Sequence, residues 1–207
     1  MLDALRARDW NTYVAVHAYA PATNQRAIAA GAQCIEHAHL MDAATAQLMS
    51  DRDIWLSIQP FLSDDDTGVL AGQSRINQLQ VFAGTNTAYA LAKAHKIRTA
   101  FGSDLLFSSQ LAARQGVMLT HLTRWFANAE ILTMATATNG ELLAMSGPRN
   151  PYPGKLGVIE EDALADLLVV DGNPIDNIGL IAEPEKTLAL IMKDGKIVKD
   201  TLTVPRP

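Results

Sequence analysis

The sequence predicts an α/β fold built on parallel βαβ units, followed by a small β-rich module. Three observations predict it. Short β-rich apolar runs alternate with helical stretches through the first half; Pro and Gly cluster over residues 146–154; and beyond that cluster the apolar runs are separated by turn residues instead of helices.

Taken in order, the run 12–17 is β-rich, and after Pro21 a helix is expected over 22–30, stopping at Gly31. Residues 33–37 form the next expected strand. Asp42 stands where an N-cap belongs, ahead of a helix reaching about Ser50, and residues 54–58 are a third strand closed by Pro60. A polar loop leads to a helix over 75–95, in which Ile76, Leu79, Ala83, Ala90 and Ala94 fall near one face, with Phe82 and Tyr89 widening it. Residues 98–101 supply a fourth strand before Gly102, and two helices, 111–126 and 129–143, complete this part. No helix continues through the Pro and Gly cluster, so a boundary is expected that divides the chain into 1–146 and 147–207. In the second part 164–170 reads as a strand, and 188–193 pairs with 196–199 across Asp194-Gly195. That dipeptide suits a two-residue type I′ hairpin, whose central residues both need positive φ.

Composition narrows the function. The 207 residues, 48% hydrophobic, suffice for one substantial core or two small ones but fall short of a complete eight-stranded (β/α) barrel, which takes about 250. No window approaches the roughly 18 consecutive apolar residues of a membrane helix, and the first residues lack the build of a secretory signal. Net charge is −5 with the basic residues scattered, which argues against a nucleic-acid partner. The single cysteine, Cys34, has no partner for an intrachain disulfide, in keeping with a reducing compartment, and a cytoplasmic protein is expected.

In a parallel α/β sheet, functional side chains gather at the C-terminal ends of the strands. His17 ends the first strand and His37 the second, while Asp104 follows the fourth by way of Gly102 and Ser103. Two imidazoles and a carboxylate from separate strands suit zinc or another divalent ion, which lowers the pKa of bound water and polarises a carbonyl. A hydrogen-bonded structural role is the competing reading for each alone.

The local sequences resemble the amidohydrolase superfamily, in particular its imidazolonepropionase-like and Xaa-Pro dipeptidase branch. Val14-Ala15-Val16-His17-Ala18 resembles that branch's fifth barrel strand, Ile35-Glu36-His37 its sixth, and Phe101-Gly102-Ser103-Asp104 its eighth. Residues 135–143 resemble the helix leaving the barrel, and 154–160 with 165–174 the returning half of a composite β-sandwich. The resemblance implies the C-terminal half of a TIM-type (β/α)8 barrel, about strands 5–8, followed by a small β-rich sandwich remnant. It implies His17 and His37 as ligands of one metal in a one- or two-metal centre, most simply zinc. Asp104 is implied as ligand of the other metal and as general base. The family's His-x-His pair on strand 1 and its strand 4 ligand have no counterpart here. The implied activity is hydrolysis of an amide or peptide bond, of an Xaa-Pro dipeptide or acyl-amino acid, by the completed enzyme. The alternatives are a catalytically silent fragment or assembly partner and, more distantly, a cyclic amidine deaminase. A half barrel leaves strand edges unpaired, so a homo-oligomer or another covering association is expected.

Other residues carry two readings each. His39 makes a second His-x-His with His37; the match to the sixth strand makes it a loop residue near the substrate. Tyr19 is either a substrate hydrogen-bond donor or a packed loop residue. Gln59, Phe61 and Arg75 either frame a substrate pocket or belong to a solvated loop over 59–74. Cys34 reads as a core thiol, His95 and His121 as surface or packing residues, and Glu36 as pointing out of the lumen toward a neighbouring helix. Trp10, Trp55 and Trp125 read as core or interface aromatics.

Overall fold

The computed structural model describes residues 2–105 and 108–202. Helix α1 (Leu2–Asp9) leads into four strands, β1 (Ala15–Ala18), β2 (Cys34–His37), β3 (Trp55–Ile58) and β4 (Thr99–Phe101), all parallel and in the spatial order β1-β2-β3-β4. Between them lie α2 (Pro21–Ala29), α3 (Ala43–Asp51), the single turn α4 (Asp64–Thr67) and the long α5 (Gly72–Ala94). Local chemistry explains the starts: Pro21 occupies the first turn of α2, and the Asp42 carboxylate accepts the Thr45 N–H at 2.8 Å to cap α3.

An order that never reverses, joined by crossovers of one hand, puts the connecting helices on one face of the sheet. Ile35, Leu56 and Ile58 accordingly pack with Ile28, Met49 and Tyr89 of α2, α3 and α5 in the main core. The Tyr89 hydroxyl donates to Ile58 O at 3.1 Å and fastens α5 to the end of β3. The opposite face carries Cys34, Trp55 and Ala100, packed with Leu142 and, at its margins, Tyr13 and Met145. Cys34 is buried there, and burial, followed by the Glu36 charge beside it, pushes its thiol far above the usual range.

The expected helix 111–126 is broken into α6 (Ser109–Ala112), α7 (Gln115–His121) and a 3₁₀ turn, Leu122–Arg124. The break aims α7 at a second 3₁₀ segment, Ile178–Ala182, where a Cβ on Gly116 would collide with the Ile181 carbonyl. The expected helix 129–143 is likewise interrupted, into α8 (Asn128–Thr133), a π turn over Met134–Thr138 and α9 (Asn139–Ala144). The π turn presents Asn139 to the free edge of β4. Its Oδ1 accepts Phe101 N–H at 2.9 Å and its Nδ2 donates to Phe101 O at 3.0 Å, satisfying backbone groups that an edge strand otherwise leaves open.

Further on, β5 (Leu167–Val170), the turn α10 (Pro184–Thr187), β6 (Leu188–Lys193) and β7 (Lys196–Asp200) follow, and the three strands form an antiparallel sheet. Asp194 and Gly195 turn the β6–β7 hairpin with φ of 50° and 72°, as the sequence requires. β5 begins three residues later than expected, the chain before it being held by Leu164 N–H to Lys155 O.

Candidate active site

The C-terminal ends of β1, β2 and β3 bring three histidines, two further aromatic rings and an amide together. Parallel register pairs His17 with Glu36, so His17 shares a face of the sheet with Cys34 and Glu36, the one opposite the connecting helices. This corrects the expectation for Glu36: it does not point toward a helix, and its carboxylate instead accepts the Cys34 thiol at 3.8 Å. By strict alternation His37 belongs with Ile35 on the helix side. Its φ of 81°, followed by 48° at Ala38, turns the ring back so that its Nε2 lies 2.8 Å from His17 Nδ1. Two consecutive non-glycine residues in the left-handed region are costly and are kept where surrounding contacts hold them.

Those contacts are specific. His37 Nδ1–H donates to Gln59 Oε1 at 2.8 Å, which leaves Nε2 with its lone pair toward His17. The Tyr19 ring stacks on His37 at 4.4 Å and 9° between planes, and Phe61 stacks on His39 at 5.6 Å. His39 is fully buried and its Nε2–H donates to Gln59 O at 2.9 Å. Burial pushes its pKa down to about 4, helped by His37 and opposed by the bond to Gln59, so it is a neutral, fixed ring. Gln59 thus holds one histidine with its side chain and another with its backbone. Gly102 completes the seat, since a Cβ there would stand 2.8 Å from Gln59 Nε2.

Asp104 is exposed, with φ of 50°, at the rim beyond β4. It is near enough to Tyr19 that its charge adds to burial in raising the phenol's pKa. The structure therefore brings His17 and His37 into contact but does not gather Asp104 with them: among the described residues no three His, Cys, Asp or Glu side chains surround a common point. Arg75 is engaged by Asp64, with Nη2–Oδ2 at 3.0 Å, so it does not face a pocket. His121 packs under the 59–74 loop, its Nδ1 3.3 Å from Pro60 O and 3.7 Å from the buried Asp66 carboxylate. His95 is the half-exposed C-cap of α5. Trp55 lies in the core and Trp125 stacks on Tyr89 at 4.2 Å, whereas Trp10 is exposed beneath Arg149. Sequence reasoning missed the roles of Gln59 as an orienting group and of Asn139. The signal for the first was its place one residue beyond β3, level with the two histidines.

The pair fits a metal in its donor chemistry. Two imidazole nitrogens converge, one oriented from behind by an amide oxygen, the outer partner that ligating histidines generally have. Two nitrogens on a tetrahedral zinc ion stand about 3.3 Å apart, so a small opening of the pair makes room for a cation in place of the shared proton.

Comparison with known proteins decides the family. The model of the amidohydrolase family matches residues 1–198. The chain belongs to the amidohydrolase family. Members generally use divalent metal ions. An Aspergillus niger ochratoxinase is 27% identical over 201 residues, covering 91% of this chain and 38% of that protein. Among solved structures, an amidohydrolase superposes with a TM-score of 0.84 at 29% identity, covering 96% of this chain and 47% of its own. A prolidase complexed with N-methylphosphonate-L-proline gives 0.83 at 28%, covering 95% and 47%. This amidohydrolase-family chain therefore spans less than half the length of the relatives it matches.

Proposed function

We propose that the chain is the C-terminal part of a metal-dependent amidohydrolase that cleaves an amide or peptide bond. In this reading β1–β4 stand as strands 5–8 of an eight-stranded barrel, residues 147–207 form a separate β-sandwich-type module, and another chain or segment covers the open edges. The observation that carries it is the His17–His37 pair, aligned by Gln59 at the strand ends of a family member. Its prolidase and Xaa-Pro dipeptidase relatives make Xaa-Pro dipeptides the first substrates to test, followed by the acyl-amino acids that the sequence resemblance implies.

His17 and His37 would hold the ion, zinc being the best match to two imidazoles. A divalent ion so held supplies Lewis acidity, polarising an amide carbonyl and acidifying water. The chain's own residues do the rest. Asp104, exposed at the rim, would take a proton from the attacking water and pass it to the leaving nitrogen. Gln59 keeps the His37 lone pair pointed inward, Tyr19 presents its hydroxyl to the substrate beside that ring, and neutral His39 backs the wall with no charge of its own.

The test is metal content by elemental analysis after zinc loading, on the native chain and on the double variant His17→Ala/His37→Ala. About one ion per chain, lost in the double variant, supports the centre. No ion in either supports the second reading, a folded but catalytically silent partner, which the absence of a third converging ligand among the described residues favours. In an enzyme completed by the complementary half, Asp104→Asn should leave folding intact and abolish turnover.

A further inference from the structure

A cavity of about 400 Å³ opens beside the histidines. Tyr19 and Phe61, the two rings that stack on His37 and His39, form its inner wall, and Leu40, Leu70, Val81 and Phe82 continue it outward. That volume lies in the range that encloses a small ligand group. Among the described residues its lining carries no formal charge.

The neutrality is built by the surrounding contacts. Arg75, the nearest cation on α5, is taken by Asp64 and also donates to Gln78 Oε1 at 2.6 Å. Gln78 Nε2 in turn donates to Thr67 Oγ1 at 2.7 Å and to Gly68 O at 2.6 Å, so its amide is spent on pinning the 63–72 loop to α5. Asp66 accepts Leu62 N–H at 2.8 Å and Ser63 N–H at 3.1 Å from inside the same loop. The loop is therefore held as a fixed outer wall. A substrate carboxylate or ammonium placed in the cavity would lose hydration against a mainly apolar wall and find no opposite charge in the lining, whose polar groups Ser74, Asn77 and Gln80 stand exposed at the rim.

We infer that this cavity is the specificity pocket of the site and takes an uncharged aromatic or branched aliphatic side group of the amide substrate. The inference rests on the hydrolase reading above for the identity of the ligand, and on the geometry for its chemistry. Because Tyr19 faces both the cavity and His37, the side group it accepts branches within a few bonds of the carbonyl under attack.

The experiment measures binding of N-acetyl-phenylalaninamide, N-acetyl-glycinamide and N-acetyl-glutamic α-amide by ligand-observed NMR, on zinc-loaded and chelator-stripped chain, with metal content read on the same samples. The phenyl probe should bind about tenfold or more tighter than the glycine probe, and the glutamate probe no better than glycine. Ser74→Trp, at an exposed position on the rim, should erase that preference while circular dichroism remains native; Gln80→Trp serves if the first variant fails to fold. Equal binding of all three probes overturns the inference, as does a preference that survives both tryptophan variants. A monomer–dimer equilibrium that the tryptophan variants abolish also overturns it, since the occupant would then be a second copy. Side-group preference without bound metal sinks the hydrolase centre and leaves the pocket; metal without preference does the reverse.

Discussion

In the parallel sheet every residue of β3 is buried, whereas in the antiparallel sheet Leu168, Val169, Ile197 and Val198 are 54%, 41%, 54% and 66% exposed. β5, all aliphatic, is at least as apolar as β3; the connections differ. Each parallel crossover brings a helix that covers the sheet it joins, while a hairpin brings only the next strand. Cover in the second region comes from a distance, through α7 against Ile178–Ala182 and through Leu188 and Ile178, the buried residues among those described there. Stability and the candidate site are therefore both concentrated in the first region.

The largest effect should come from breaking that contrast directly. Leu56→Ala in β3 removes a fully buried side chain and should cost about 2–5 kcal/mol, against about 0.5 kcal/mol for Leu168→Ala in β5, both read by urea unfolding. Comparable losses would mean that the antiparallel sheet is covered in solution by something else. Next comes Gly84→Ala in α5, whose new methyl would meet the His39 carbonyl oxygen and Leu40 Cδ2 at 2.9 Å. A loss of about 1–3 kcal/mol is expected, although alanine is the better helix former, because packing against a backbone carbonyl leaves no room to yield.

Within the first region Gln59→Ala separates orientation from ligation. Zinc affinity should fall about 10–100-fold by competition with a chromogenic chelator, with the fold retained, since His37 then loses the partner that sets its tautomer. Unchanged affinity would mean that ring stacking alone positions His37.

The smallest effects compare two surface carboxylates, exposed Asp42 and half-buried Asp166, one in each region. The Thr45 side chain, and after it the Thr45 N–H, holds Asp42 below the usual carboxylate range, and the Lys193 ammonium, at 2.6 Å, does the same for Asp166. A depressed carboxyl pKa stabilises the fold above the ordinary value of 3.8 and loses that contribution as pH falls through the depressed one. Asp42→Ala should therefore cost about 1 kcal/mol near neutral pH and progressively less in acid. Asp166→Asn should show the same pH trend with a smaller amplitude that added salt removes, because its partner is a solvated ammonium. Thermal unfolding at several pH and salt values reads both; a loss that persists in acid would assign the effect to packing.

Much of this was legible in the residues. The alternation of apolar runs with helices marked all four parallel strands, Asp42 marked the start of α3, and Asp194-Gly195 marked the hairpin, because each depends on contacts within a few residues. His17, His37 and Asp104 were legible as candidates from their places after strands. The broken helices were not: the break before α7 answers to Ile181, about 65 residues away, and the π turn serves Phe101 across the sheet edge. Glu36 was assigned to the wrong face because strict alternation places it opposite an inward-facing His37, whereas the φ of 81° at His37 swings that ring onto the face Glu36 already shares with His17.

The sequence by itself determined the order of elements, the polar residues available at the strand ends, and the turn chemistry, all set by local propensity and covalent succession. Only the tertiary structure decided that His37 swings out of strand alternation to meet His17, that Gln59 aligns it, and that a neutral cavity opens beside them. Those features follow from hydrogen bonds and ring stacking between residues about 20 positions apart, whose geometry exists only once β1, β2 and β3 lie side by side.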